Sequence, residues 1–307
     1  MISEEGRDAL KTTLIHTLYD TVALHYEGQP LFSYVYEPKF PARESPRPYF
    51  HSLKTLAGNE VCLVRPYDHQ WHIGLSMTSA NLAGENFWGG PTYTPDAGYV
   101  QLDNNGWMRH RAWQELSSEE RVSCIEQLQW ITHSEAVWIE EERHLDVNEI
   151  NAEAGYWSLD FSSRLLNVSG KPLAFGSPTT EGRENAGYGG LFWRGPRSFL
   201  HGKILGAGGL EGPECMGKQA PWLAFTGWHD GSCEQSTIIF IDQPRNPRYP
   251  NKWFVRNDPY ACISCAFMFD EYYTLQPDDV LDLSYRVVLA NGEWSREQID
   301  KYVGRLR

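Results

Sequence analysis

Leu281-Asp-Leu-Ser-Tyr-Arg-Val-Val-Leu289 is the stretch that decides the fold. Leu281, Leu283, Tyr285, Val287 and Leu289 alternate with Asp282, Ser284 and Arg286, a period of two that turns one apolar row to a core and one polar row to water. That is a strand from a sheet with one wet face, the habit of antiparallel sheets. Upstream, residues 21–37 hold two β-rich runs around Glu27-Gly28-Gln29, which reads as a hairpin. Residues 137–147, 157–165, 237–241, 253–255 and 261–269 are further short strand-like runs, set apart by Gly, Pro, Asn or Asp. The pattern predicts one all-β domain over 1–307, an antiparallel β-sandwich with a few peripheral helices. Two capping boxes predict those helices: Ser117-Ser-Glu-Glu120 ahead of Val122 and Ile125, and Ser295-Arg-Glu-Gln298 ahead of Ile299, Tyr302, Val303 and Leu306.

Composition narrows the function. Forty acidic residues against 27 basic ones give a net charge of −13, which phosphate backbones repel, so nucleic acid is not an expected partner. The longest apolar runs fall far short of the roughly 20 residues that span a bilayer, and no membrane partner is expected. Met1-Ile-Ser-Glu-Glu-Gly-Arg-Asp8 does not read as a secretory signal, which leads us to expect a cytoplasmic protein. Six scattered cysteines then suggest buried thiols, with Cys262-Ile-Ser-Cys265 an isolated pair.

Four stretches could carry chemistry. Arg47-Pro-Tyr-Phe-His51 and Asp68-His-Gln-Trp-His72 gather three of the ten histidines within a short span. Neutral imidazole serves as acid, base or metal ligand near neutral pH, so Asp68, His69 and His72 are candidate catalytic groups, and His51, His69 and His72 candidate ligands of a divalent metal. In Glu140-Glu-Glu-Arg-His144, strand alternation places Glu142 and His144 on one face, either solvated or lining a cleft where Glu142 acts as a base. The glycine-rich run 180–194 offers Arg183, Tyr188 and Arg194 for binding carboxylates or vicinal hydroxyls. It has neither Gly-Lys-Ser/Thr nor glycines between a strand and a helix, so no nicotinamide or flavin motif is present. Finally, the proline-stiffened turn 242–250 would hold Asn246, Arg248, Trp253 and Arg256 as a polar and aromatic grip on a sugar ring.

In order along the chain, Tyr49-Phe-His51, Asp68-His-x-x-His72, Gly84-Glu-Asn-Phe-Trp88, Gly182-Arg-x-x-x-Gly-Tyr-Gly-Gly-Leu191, Asp242-x-Pro-x-Asn-Pro-Arg248 and Leu-x-Leu-x-Tyr-Arg286 resemble the motifs of the PmoA-like bacterial family. Its label, methane oxygenase, fits poorly with a chain that has no membrane-length apolar run. The resemblance implies a sandwich similar to galactose-mutarotase supersandwiches and an association with sugar dehydrogenases of the Gfo/Idh/MocA type. It implies that His51, Asp68, His69, His72, Arg183, Tyr188, Asp242, Asn246, Arg248 and Arg256 are the characteristic polar residues. Gln243 and Ile73 depart from the pattern, standing where the family usually has histidine and often a basic residue.

The expected function is an enzyme that takes a small-molecule sugar and cleaves a glycoside or 3-keto-glycoside, as hydrolase or lyase, by histidine acid/base or metal-assisted chemistry. A mutarotase-like epimerase pairing His72 with Glu142, and a non-catalytic carbohydrate-binding protein, are the alternatives.

Overall fold

The hairpin at residues 21–37 forms because its turn residues tolerate the left-handed region. Glu27 and Gly28 both have positive φ, 49° and 83°, joining Thr21–Tyr26 to Gln29–Val35. In a computed structural model, which describes residues 12–119 and 121–306, this hairpin opens an eight-stranded sheet. Its order is Thr12–Thr17, Thr21–Tyr26, Gln29–Val35, Tyr49–His51, Leu75–Ser79, Gly189–Arg194, Cys262–Ala266 and Lys252–Arg256. A second eight-stranded sheet runs Lys203–Gly206, Trp222–Trp228, Gln235–Asp242, Val280–Asn291, Tyr156–Asn167, Val137–Asn151, Val122–Ile131 and Trp107–Ser117. All the pairings within both are antiparallel.

The two sheets face each other across one apolar core, where Trp193 of the first meets Phe225 and Phe240 of the second. Leu281, Leu283, Tyr285, Val287 and Leu289 are buried in that core, as the alternation requires. Val288 and Ala290 break the polar row because the helix Arg296–Gly304 covers them with Ile299, Tyr302 and Val303. Its N-terminus is the expected capping box: Ser295 accepts from the Gln298 N–H, and the Gln298 side chain accepts from the Ser295 N–H. No helix among the described residues is long and apolar enough to cross a membrane.

The other expected helix does not form. Trp107–Ser117 and Val122–Ile131 are paired antiparallel strands, and the buried positions Val122, Cys124, Glu126, Leu128 and Trp130 follow the strand period. Burial against the first sheet outweighs a four-residue capping signal. Five of the cysteines are buried and Cys233 is exposed; all six thiols are free.

The core also holds charge. Glu141 and Arg143, both fully buried, pair at 2.7 Å, and Glu141 accepts from Trp130 Nε1 at 2.6 Å. Arg143 donates to the Tyr34 hydroxyl at 2.8 Å, which donates in turn to Glu126 at 2.6 Å, tying the sheets together across the core. Replacing Arg143 with leucine would leave Glu141 buried without its counter-charge. Urea unfolding of Arg143→Leu should show a loss of about 3–5 kcal/mol; a loss under about 1 kcal/mol would mean the pair is dispensable.

Candidate functional site

Strand alternation sends Leu191 and Trp193 to one side of Gly189–Arg194 and Phe192 and Arg194 to the other, where Phe192 packs, buried, against Trp88 and His72. Loops from both ends of the sheet close over that side. They leave a pocket of about 290 Å³ lined by His69, Trp71, His72, Trp88, Pro91, Tyr99, Arg183, Tyr188, Phe254, Arg256 and Tyr260. The volume is near the lower end of the roughly 300–1,000 Å³ typical of small-molecule sites. Arg47 is buried beneath and donates to the carbonyls of Trp71 at 3.0 Å and Trp88 at 2.9 Å, fixing two walls at once. Burial lowers its pKa to about 9, with the Arg143 charge adding to the effect. Gly90, at φ 67°, leaves the space that the Trp71 ring fills; any β-carbon there would collide with it. Tyr188 packs on Trp88 at 4.5 Å and shares a hydrogen bond with Tyr99 at 2.8 Å.

The two histidines stack, their ring centres 4.6 Å apart, but their partners are opposite in kind. His69 Nδ1 is 2.9 Å from Asp68 Oδ2. A carboxylate can only accept, so Nδ1 carries the proton, and Nε2 keeps a lone pair when the ring is neutral. His72 Nδ1 is 3.2 Å from Arg194 Nη1. A guanidinium can only donate, so this ring carries its proton on Nε2 when neutral. Burial pushes the His72 pKa well below its ordinary value, and the nearby His69, Arg194 and Arg47 push the same way. Burial raises the Asp68 carboxyl, but hydrogen bonds from His69 and Arg197 and the charge of Arg194 outweigh it and hold the group well below the usual carboxylate range. The site therefore pairs a proton acceptor, His69 Nε2, with a neutral donor, His72 Nε2–H.

The model of the family DUF6807, described as a family of unknown function, matches residues 21–304. The chain belongs to DUF6807. No curated protein matches its sequence. Among solved structures, an α-galactosidase of glycoside hydrolase family 36 from Geobacillus stearothermophilus, in complex with raffinose, is similar at 11 % identity and a TM-score of 0.42. The alignment covers 93 % of this chain and 41 % of that one, so the chain spans about two-fifths of that enzyme's length.

In this DUF6807 chain His69, His72, Arg183, Tyr188 and Arg256 meet in one pocket, with Asp68 and Arg194 behind the histidines. The other expected site residues lie elsewhere. His51 sits outside the pocket wall and is exposed: Phe50 takes the core side of its strand and His51 the solvent side. The expected His51–His69–His72 metal set is thus not assembled, and no group of three His, Cys, Asp or Glu among the described residues is placed to hold a metal ion. Glu142 and His144 pair at 2.9 Å in a shallow groove on the outer face of the second sheet, apart from His72, because the core claims Glu141 and Arg143 instead. That separation removes the His72–Glu142 epimerase pair.

Trp253 is 0 % exposed and donates to the Ala220 carbonyl, a core residue unable to stack on a ligand. Asn246 bonds Asp242 and both backbone groups of Ser284, so the proline turn is a rigid corner. Arg248 is spent on the carbonyls of Phe267, Glu271 and Tyr272. Arg194 is 2 % exposed and supports His72 from below, its guanidinium 4.3 Å from the Tyr260 ring. Sequence reasoning missed Tyr99 and Tyr260, which carry no local motif, and passed over Trp71 and Phe254, which lie inside or beside the stretches it singled out.

The depressed His72 pKa has a consequence for stability. Below the ordinary value of 6.5 the unfolded chain binds a proton at this position that the folded chain refuses. Its contribution is complete above that pH and is lost as pH falls, with a slope of up to about 1.4 kcal/mol per pH unit. His72→Gln should flatten the fall in stability between about pH 6.5 and about pH 5.5, measured by urea unfolding. An unchanged slope would mean that His72 titrates normally.

Proposed function

We infer that this pocket binds a sugar and breaks a carbon–oxygen bond in it by elimination, removing a proton from a carbon next to a carbonyl group. The observation that carries the reading is the opposed hydrogen bonding of the stacked histidines at an aromatic-walled pocket. His69, oriented by Asp68 as the histidine of a hydrolase triad is by its aspartate, takes the proton on Nε2. His72 donates Nε2–H to the carbonyl oxygen as negative charge gathers there, and being neutral it does so without releasing its own proton. The electron pair then forms a carbon–carbon double bond, the oxygen substituent one carbon further leaves, and protonated His69 returns its proton to it. In a 3-keto-glycoside the acidic carbon is C2 and the leaving group is the aglycone on C1; addition of water to the product completes a net hydrolysis. Trp71, Tyr99, Tyr188 and Tyr260, the rings of the wall that are not fully buried, supply aromatic surface for the sugar.

Ordinary two-carboxylate glycoside hydrolysis has less support, because no Asp or Glu among the described residues lines the pocket. Turnover of neutral glycosides, 3-keto-glycosides and uronosides by the purified protein tests the reading. His69→Ala and His72→Ala should each lower kcat by about 10²- to 10⁴-fold on whichever sugar is cleaved, with the fold intact by circular dichroism. If no carbonyl-bearing sugar is cleaved while free sugars bind, the pocket is a binding site alone.

A further inference from the structure

The pocket is basic in an acidic protein. Its wall carries two guanidinium groups, Arg183 and Arg256, two histidines and no carboxylate, in a chain whose acidic residues outnumber the basic ones by 40 to 27. Asp68, the acid bonded to His69 of the wall, is already occupied by His69, Arg197 and Arg194. Elsewhere the partly and fully buried arginines are commonly ion-paired: Arg143 with Glu141, Arg286 with Asp160, Arg248 with Glu271. Arg256 has no ion pair and no side-chain hydrogen bond among the described residues; its Nε, like that of Arg194, is shut off from water, but its two terminal nitrogens are not, and they are the donors left to the cavity. Its guanidinium lies 5.3 Å from the Phe254 ring, which is part of the same wall. Arg183 faces Tyr99, its Nη1 donating to the hydroxyl, and pairs with no acid either. Two guanidinium groups without counter-ions at one cavity form a receptor for a planar anion.

We propose that the sugar taken by this pocket carries a carboxylate, a uronic acid residue, held by Arg183 and Arg256. The inference rests on the elimination reading and deepens it, because the carboxylate is itself the carbonyl group that makes the neighbouring C–H acidic. In a uronoside linked through O4, His69 Nε2 takes the C5 proton and the electron pair forms the C4=C5 bond. The C4–O4 bond breaks, and the leaving oxygen takes the proton back from His69. No oxidant, reductant or water is consumed, and the product is a 4,5-unsaturated uronate with a new ultraviolet chromophore. While C5 is deprotonated the carboxyl oxygens bear the extra charge, which the two guanidinium groups neutralise.

Calorimetric titration of the whole protein with glucuronate, glucose and glucose 6-phosphate tests the anion site separately from turnover. Glucuronate should bind at least tenfold more tightly than glucose. Arg256→Leu should narrow that ratio to within about threefold. Arg256→Lys, which keeps the charge but loses the fork, guards against misfolding of the leucine variant and should narrow it in part. Equal affinity for glucose and glucuronate overturns the proposal, as does a preference for glucose 6-phosphate over glucuronate. The two readings fail separately: tight, Arg256-dependent glucuronate binding without cleavage of any uronoside removes the elimination chemistry and keeps the carboxylate site. His69-dependent cleavage confined to neutral 3-keto-glycosides does the reverse.

Discussion

The contact between Arg194 and His72 is the one on which the site depends. Arg194 ends the strand Gly189–Arg194 with its side chain on the outer face of the first sheet, where it is buried yet bonded to the His72 ring and within 3.5 Å of Asp68. One guanidinium thereby fixes the tautomer of one histidine and helps keep ionised the carboxylate that orients the other. The backbone reinforces it: the Arg194 N–H donates to the Gly74 carbonyl, and the Leu63 N–H to the Arg194 carbonyl, stitching the histidine loop to the strand. Gly74 has φ 49° and sits where any β-carbon would strike the carbonyl oxygen of Phe50, so the loop can lie this close only with glycine there.

Charge is distributed differently on the two sheets. Inside the core Glu141 is matched to Arg143, and Glu126 hydrogen-bonds His110 and Tyr34, so removing Arg143 exposes the full desolvation cost of Glu141. Outside the first sheet the balance tips. Arg47 and Arg194 are buried with hydrogen bonds directed at carbonyls, a serine hydroxyl, His72 and Asp68, while Arg183 and Arg256 line the pocket with no ion pair among the described residues. The same pocket wall that presents ring faces to an apolar surface thus presents positive charge to an anionic one, in a molecule that is otherwise strongly acidic.

Period-two alternation was legible because it reports one local fact, which face of a strand meets the core. It located the strand Val280–Asn291, and the turn and cap signals located the first hairpin and the C-terminal helix. The Ser117-Ser-Glu-Glu120 box misled because a capping signal records only what a chain end could do, and the partner strands on either side had more area to bury. In the strand Val137–Asn151 the alternation paired Glu142 with His144 on one face and left open whether that face was solvated or lined a cleft; the structure makes it an outer face apart from the histidine pocket. Glu141 and Arg143 turned inward, since each satisfies the other, and Glu142 and His144 were left outside. Trp253 likewise had the aromatic chemistry of a sugar platform but the parity of a core residue.

The sequence by itself determined the layer architecture, the short peripheral helix and the residue types that could do acid–base work, because each follows from spacing within a few residues. Only the tertiary structure decided which of them work together. Asp68, His69 and His72 were neighbours in the chain, but Arg183, Arg194, Tyr260 and Arg256 join them through strand order, with Gly189–Arg194 lying between Leu75–Ser79 and Cys262–Ala266. It also decided which nitrogen of each histidine bears the proton, since that depends on whether a carboxylate or a guanidinium happens to face the ring, and the chain sets that only when distant segments have packed.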